Sequence, residues 1–416
     1  MEKTILEKAK EKITTLEMEL SLINEEISIE KLISNISEGK TVIPANKNRK
    51  RNKYFAIGKD CTVKINANIG VTAEYSSFDI ELKKAELCEK YGVESVMDLS
   101  CGKYAKSFKE KLLKEFNFIV GSVPVYDLAI RAKDFTKTKS KDFLEVLEEH
   151  VEMGVDFVTI HAGLNMELIE KIKTSQRILN IVSRGGSMIY KWMLENNKEN
   201  PYYEYFDEVL KILKKYDAVI SIGDALRPGC IFDSFDPLQI EETIIVSKLA
   251  KKARDFGVQV IIEGPGHMRA DEITASVKFI KRLCNDAPLY VLGPLTTDIA
   301  AGYDHISGSM GALISALSGA DFLCYVTPAE HLRLPDLEDV KEGIIAFKIA
   351  AHSANLVRGF KRALIKDLEI SKARRDLDWE RIIEYSIDPE RAKKYRENLE
   401  DTCSMCGELC AIKNSR

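Results

Sequence analysis

The sequence predicts an α/β fold: a (β/α)8 barrel of the TIM type, with a helical extension before it and a helical, cysteine-carrying tail behind it. Two observations carry this. From residue 60 onward, short apolar runs alternate with longer amphipathic stretches, the pattern of buried parallel strands joined by covering helices. In unit after unit, polar side chains gather at the C-terminal end of the run, and in a barrel those ends meet at one mouth. An open doubly wound sheet is the alternative, but no GxGxxG follows a first strand to favour it.

Taken in order, the first forty residues carry apolar positions at helical spacing, in "ILEKAKEKITTLEMELSLINEEISIEKLISNI", and read as a helical extension over 1–59. The basic run "NKNRKRNK" (47–54) reads as a solvated loop, since no aromatic interleaving supports nucleic acid. Nine candidate strands follow: 63–70, 94–100, 118–124, 156–162, 179–185, 218–224, 258–264, 289–294 and 321–328. A barrel needs eight, so one is expected to be an edge piece or part of the N-terminal region. Helical patterns such as "DFLEVLEEHVEMG" and "YFDEVLKILKKY" lie between them. The barrel is expected over 60–335. After it, over 336–416, the chain turns charged and helical, as in "LEDVKEGIIAFKIAAHSANLV" and "WERIIEYSIDPERAKKYRENLED", and ends in "CSMCGELCAIKNSR".

Composition narrows the function classes. Of 416 residues, 45% are hydrophobic, enough for a sizeable core, and the net charge of −4 offers no bulk attraction for nucleic acid. The N-terminus is charged and lacks the apolar stretch of a signal peptide. No apolar run approaches the ~20 residues of a membrane span. A cytosolic protein is expected, and its nine cysteines are then not a disulfide framework. Cys61, Cys88, Cys101, Cys230, Cys284 and Cys324 stand singly and read mostly as small buried apolar residues.

The cluster Cys403, Cys406 and Cys410 needs another reading. Its CxxCxxxC spacing suits an iron–sulfur cube with one open iron. It also suits a zinc site that borrows a fourth ligand, or is coincidence. At the predicted mouth stand Asn66, Asn68, Asp98, His161, Ser183, Arg184, Asp224, Arg227, Glu263 and His267. N-capping explains Asp98 or Asp224, but not the histidines, arginines and glutamate together. "EGPGH" and "TPAEHL" end two strands in His267 and in Glu330 with His331, a pair able to share a metal whose other positions take water or substrate. "SRGG" (183–186) sets a guanidinium beside free backbone N–H groups, which suits a phosphate, or is a turn. "GDALRPG" pairs Asp224 with Arg227, as a mutual salt bridge or a clamp on a polar substrate. From the residues alone, a metal-dependent aldolase or hydrolase and a redox sensor using only the tail stay open.

In order, "NANIG", "VMDLS", "TIHAG", "IVSRGG", "LRPG", "IEGPGH", "LGPLTTDIA-GYDHI", "CYVTPAEHL", "DVKEGI" and "CSMCG" resemble the phosphomethylpyrimidine synthase (ThiC-type) family, from about residue 40 onward. The resemblance implies an unusual radical S-adenosylmethionine (SAM) enzyme on a (β/α)8 barrel. Such an enzyme converts 5-aminoimidazole ribonucleotide into 4-amino-5-hydroxymethyl-2-methylpyrimidine phosphate for thiamine, releasing formate and carbon monoxide. It implies that Asn68, Met97, Tyr126, His161, Ser183, Arg184, Gly185, Asp224, Arg227, Glu263 and Tyr290 line the ribonucleotide site, with Ser183 to Gly185 at the phosphate. It implies a divalent metal, zinc or another, on His267 and His331, and a [4Fe–4S] cluster on Cys403, Cys406 and Cys410. An external electron donor and a homodimer with exchanged C-terminal tails also follow from it. The sequence departs from the family pattern at Ala225, Met268, Arg269, Ala301 and Arg333, and its tail is one residue shorter than the family's CxxCxxxxC. The alternative product, within the same resemblance, is 5-hydroxybenzimidazole from the same substrate.

Overall fold

A computed structural model describes residues 2–72, 76–396 and 402–415. The chain divides into two compact units, 1–351 and 352–416.

In the first unit, the antiparallel pair β1 (Thr41–Val42) and β2 (Ile57–Gly58) precedes eight parallel strands: β3 (Lys64–Ile69), β4 (Ser95–Asp98), β5 (Ile119–Ser122), β6 (Phe157–Ile160), β7 (Val219–Ile222), β8 (Val260–Gly264), β9 (Leu289–Leu292) and β10 (Phe322–Cys324). They close in sequence order, with β10 pairing back onto β3 through Phe322 and Lys64. The closed parallel barrel predicted from the alternation is therefore present. Strands of four residues suffice because both faces are buried and β-branched residues fill them. Helices cover the outside by helical periodicity: Phe206–Tyr216 buries Phe206, Val209, Leu210, Leu213 and Tyr216.

The barrel floor is packed with rings. Phe157 and Phe322 meet edge to face at 6.2 Å, and Tyr290 stacks on Phe322 at 4.4 Å. A Cβ on Gly121 would lie 2.1 Å from Phe157 Cζ, so a glycine is what lets that ring enter the barrel.

Two sequence expectations are corrected. The run 179–185 is not a strand: it is irregular chain leading into the helix Arg184–Asn196, for which Ser183 is the N-cap. It is the surplus ninth strand. The basic run 47–54 is a loop with Lys47, Asn48, Lys50, Asn52 and Lys53 exposed, as expected, but two of its cations are not solvated. Arg49 and Arg51 are buried on Asp156. Arg49 also donates to three main-chain carbonyls, of Leu113, Phe116 and Phe118, at 2.7–3.1 Å, while Asp156 accepts from the Val120 N–H at 2.9 Å. This run is a bolt across the base of the barrel. The first forty residues are likewise several short helices, Ile5–Lys10, Leu16–Ser21 and Ile29–Ser37 among them, capped by Thr4, Thr15 and Ser28.

In the C-terminal unit the predicted helices appear at Trp379–Tyr385 and Pro389–Tyr395, broken where Asp388 caps the second; residues 397–401 of that pattern lie outside the described residues. No helix among the described residues is long and apolar enough to cross a membrane.

Removing one partner of a buried ion pair strands the other charge at a cost of ~3–5 kcal/mol. Arg49→Met leaves Asp156 with Arg51 alone and takes a donor from the carbonyls of Leu113, Phe116 and Phe118, and is therefore expected to lower stability by ~3 kcal/mol in urea denaturation. The exposed Lys50→Ala should stay within ~0.5 kcal/mol of wild type.

Candidate active site at the barrel mouth

A cavity of about 350 Å³ opens at the C-terminal ends of the strands. Asn68, Met97, Tyr126, His161, Ser183, Arg184, Asp224, Arg227, Glu263 and Tyr290 line it, as do His267, Glu330 and His331. They come from every part of the barrel, so only closure brings them together. Gly185 does not line the cavity but stands behind it: a Cβ there would lie 2.5 Å from His161 Cε1. Its missing side chain lets the helix start reach the imidazole.

Ser183 serves both sides of that contact. Its hydroxyl caps the helix by accepting from the Gly186 N–H at 3.2 Å, and it meets His161 Nε2 at 2.6 Å. His161 Nδ1 has no hydrogen-bond partner. Burial, and then the Arg227 charge, push the His161 pKa down to about 3, so the ring is neutral. Beyond Ser183, Arg184 lies over the Tyr126 ring at 5.1 Å.

At the ends of the neighbouring strands β7 and β8 carboxylates outnumber cations. Glu263 Oε1 accepts from Thr159 Oγ1 at 2.9 Å and Ser221 Oγ at 2.8 Å. Asp224 Oδ1 meets Arg227 Nη1 at 3.4 Å, and Asp224 Oδ2 has no partner. Burial raises the pKa of Asp224, Glu263 and Glu330 alike. Burial also opposes the Arg227 charge, but Asp224 and Glu263 outweigh it and hold that pKa above its ordinary value. The floor is a polar mesh in which Asn66 donates to the Tyr290 hydroxyl at 2.7 Å and Asn68 donates to Cys324 Sγ at 3.2 Å.

His267 and His331 face each other with ring centroids 5.2 Å apart. Metal–nitrogen bonds of ~2.1 Å place two imidazoles on one ion with centroids ~5 Å apart, so the pair fits. Each Nδ1 is engaged by a carboxylate, His267 with Asp298 at 2.8 Å and His331 with Asp304 at 3.2 Å, which leaves both Nε2 atoms for an ion. Among the described residues no group of three or more His, Cys, Asp or Glu is gathered for a metal, so further ligands would be water or substrate.

The tail cysteines lie in consecutive tight turns: the Gly407 N–H donates to the Cys403 carbonyl at 3.0 Å, and the Cys410 N–H to the Gly407 carbonyl at 3.3 Å. A backbone hydrogen bond from Cys406 lowers the Cys403 pKa, while the Cys403 charge raises that of Cys406. One thiol is thus primed toward the thiolate a cluster needs, and the donor chemistry fits an iron–sulfur group. The three are not gathered into one binding group here.

Sequence reasoning missed Thr159, Ser221, Asp298 and Asp304, and took Cys324 for a core residue although it lines the cavity. Thr159 precedes His161 by two residues, the strand spacing that puts both on one face, and that signal was readable. The carboxylates lie in "TTDIAAGYDH", where nothing local marks their partners.

A family model described as the Radical SAM ThiC family matches residues 4–416. A phosphomethylpyrimidine synthase of Clostridium botulinum (strain Loch Maree / Type A3) is 51% identical over 416 residues, covering 99% of this chain and 95% of the relative. One of Clostridium tetani (strain Massachusetts / E88) is 49% identical, covering 99% and 91%. A solved dihydropteroate synthase of Xanthomonas albilineans superposes with a TM-score of 0.44 at 12% identity, covering 77% of this chain and 100% of the other.

The neutral His161 sets a pH dependence. Unfolded, its pKa is ~6.5; folded, it is about 3. As pH falls below the unfolded value, only the unfolded chain takes up the proton, so stability is lost downward through that window. Between pH 7 and pH 5 wild type is expected to lose ~2 kcal/mol more than His161→Gln, read by denaturant unfolding at both pH values.

Proposed function

The chain belongs to the Radical SAM ThiC family, and on that premise we propose that it converts 5-aminoimidazole ribonucleotide into 4-amino-5-hydroxymethyl-2-methylpyrimidine phosphate, with release of formate and carbon monoxide. The family brings with it SAM and an iron–sulfur cluster. The observation that carries the reading is the single cavity in which Arg184, Arg227, Glu263, Asp224 and His161 meet the His267–His331 pair.

The residues suit that substrate part by part. The start of the helix Arg184–Asn196 offers N–H groups and the Arg184 guanidinium to the phosphate. Glu263 and Asp224 accept from ribose hydroxyls and the ring amine. His161, neutral and held by Ser183, stands in the wall of the cavity as a fixed, uncharged ring. Met97, Leu99 and Val123 supply apolar wall, which limits water around a reactive intermediate.

Cys403, Cys406 and Cys410 would hold the cluster, which with SAM supplies the radical that starts the rearrangement. His267 and His331 would hold a divalent metal such as zinc, an electrophilic anchor for polar groups bound beside them. The chain would act as a homodimer with exchanged tails; that the cluster-bearing segment forms a compact unit of its own supports delivery as a lid.

The pyrimidine product is favoured because none of Ala225, Met268, Arg269, Ala301 and Arg333 lines the cavity. Met268 is buried in the core, while Arg269 pairs with Asp271 and Arg333 with Asp339. Two of the departures are thus spent on local salt bridges.

Anaerobically reconstituted protein given SAM, reductant and aminoimidazole ribonucleotide is expected to yield hydroxymethylpyrimidine phosphate by mass analysis. 5-Hydroxybenzimidazole as the main product would overturn the assignment. Replacing Cys403, Cys406 or Cys410 by Ala is expected to abolish iron loading and SAM cleavage while leaving the circular dichroism of the barrel intact. Retention of iron by all three variants would refute the cluster ligands.

A further inference from the structure

We infer that Asp298 and Asp304 are positioning residues for the metal: each fixes the tautomer and orientation of one histidine, and together they set how tightly the pair holds a divalent cation. The inference rests on the reading of His267 and His331 as metal ligands and extends it to residues no ligand motif marks.

The geometry is the same twice over. His267 Nδ1 meets Asp298 Oδ1 at 2.8 Å, and His331 Nδ1 meets Asp304 Oδ2 at 3.2 Å. A carboxylate only accepts, so each Nδ1 carries the proton and each Nε2 keeps its lone pair. An imidazole left free divides itself between tautomers and rotates; one held in this way does neither, and the carboxylate makes the ligating nitrogen more basic. The pairing supplies both features where the rings converge, with centroids 5.2 Å apart.

Both carboxylates are themselves held. Asp298 spends its second oxygen on the Ile231 N–H at 3.0 Å, in the loop that follows Arg227. The His267 N–H donates to the Pro228 carbonyl of that loop at 3.1 Å. The metal histidine and the Arg227 loop are thereby tied at two points. Asp304 is buried at the first turn of the helix Asp304–Ser318, so its carboxylate is fixed by a rigid element. His331 needs that support most, since it sits at φ 61°, in the left-handed region that a non-glycine side chain enters only when its surroundings hold it there.

The test is a titration of full-length protein carrying Cys403→Ala, Cys406→Ala and Cys410→Ala, so that the tail thiols do not compete for the ion, with Zn²⁺ against a chelator and with Co²⁺ followed by its visible spectrum, while iron loading is read separately with the tail cysteines intact. Asp298→Ala and Asp304→Ala are each expected to weaken Zn²⁺ binding ~10–100-fold. Asp298→Asn and Asp304→Asn, which keep an acceptor but lose the charge, should fall between. Co²⁺ bound to the Ala variants should show an altered spectrum, and iron loading of the tail should match wild type. Because Asp304 is buried, its Asn variant guards against a folding failure. Wild-type affinity and spectrum in both Ala variants would overturn the inference while leaving the metal pair standing. If wild type itself binds no divalent ion and His267→Ala changes nothing, the metal reading falls, and this inference with it.

Discussion

Closure of eight short parallel strands is the constraint on which the mouth depends. A strand of four residues has no independent stability; it persists because hydrogen-bonded neighbours flank it on both sides and apolar layers cover both faces. Closure leaves no edge, and it turns eight strand ends into one ring. Side chains far apart in sequence, such as Asn68 and Cys324, then meet at 3.2 Å. The floor must be solid for the mouth to be a pocket and not a pore. Phe157, Phe322 and Tyr290 make it solid, and Arg49, driven into the base onto Asp156, holds the lower ends of β5 and β6 in register.

That rigid frame permits an electrostatic arrangement that a flexible one would relax. Asp224, Glu263 and Glu330 are partly buried near the Arg227 guanidinium, and desolvation raises all three carboxyl pKa values. Isolated in water these groups would separate or hydrate. Here Glu263 is held by Thr159 and Ser221, and the loop bearing Asp224 is held by Glu242, which accepts from the Ala225 and Leu226 N–H groups at 2.9 and 2.7 Å. Asp224 Oδ2 and His161 Nδ1 are buried without a hydrogen-bond partner, a cost that only a rigid frame can sustain.

The sequence carried much of this and missed the rest for identifiable reasons. Strand order and the mouth were legible because burial on both faces forces continuous apolar runs, and His161, Arg227 and Glu263 broke those runs at one end. The run 179–185 misled because Leu179 and Val182 are apolar for another reason: they face the cavity, and local hydrophobicity does not distinguish a cavity wall from a core. The basic run misled because its partner, Asp156, lies 107 residues from Arg49; charge in a sequence announces a need for solvent or a partner without saying which. Asp298 and Asp304 were unreadable for the same reason, each defined by a histidine 31 or 27 residues away.

The mouth and the cysteine tail of this chain are built in opposite ways. The mouth is nonlocal, and its lining residues come from strand ends and loops all around the barrel. The tail is local: Cys403, Cys406 and Cys410 are set by consecutive turns within eight residues, with Gly407 at φ 49° and open space where a β-carbon would stand. A nonlocal site gains precision from the fold and loses all of it when the fold opens. A local one can form on a short segment and be carried. The gathering of the mouth residues therefore depends on closure of the barrel, whereas the cysteine turns depend on hydrogen bonds between residues a few positions apart.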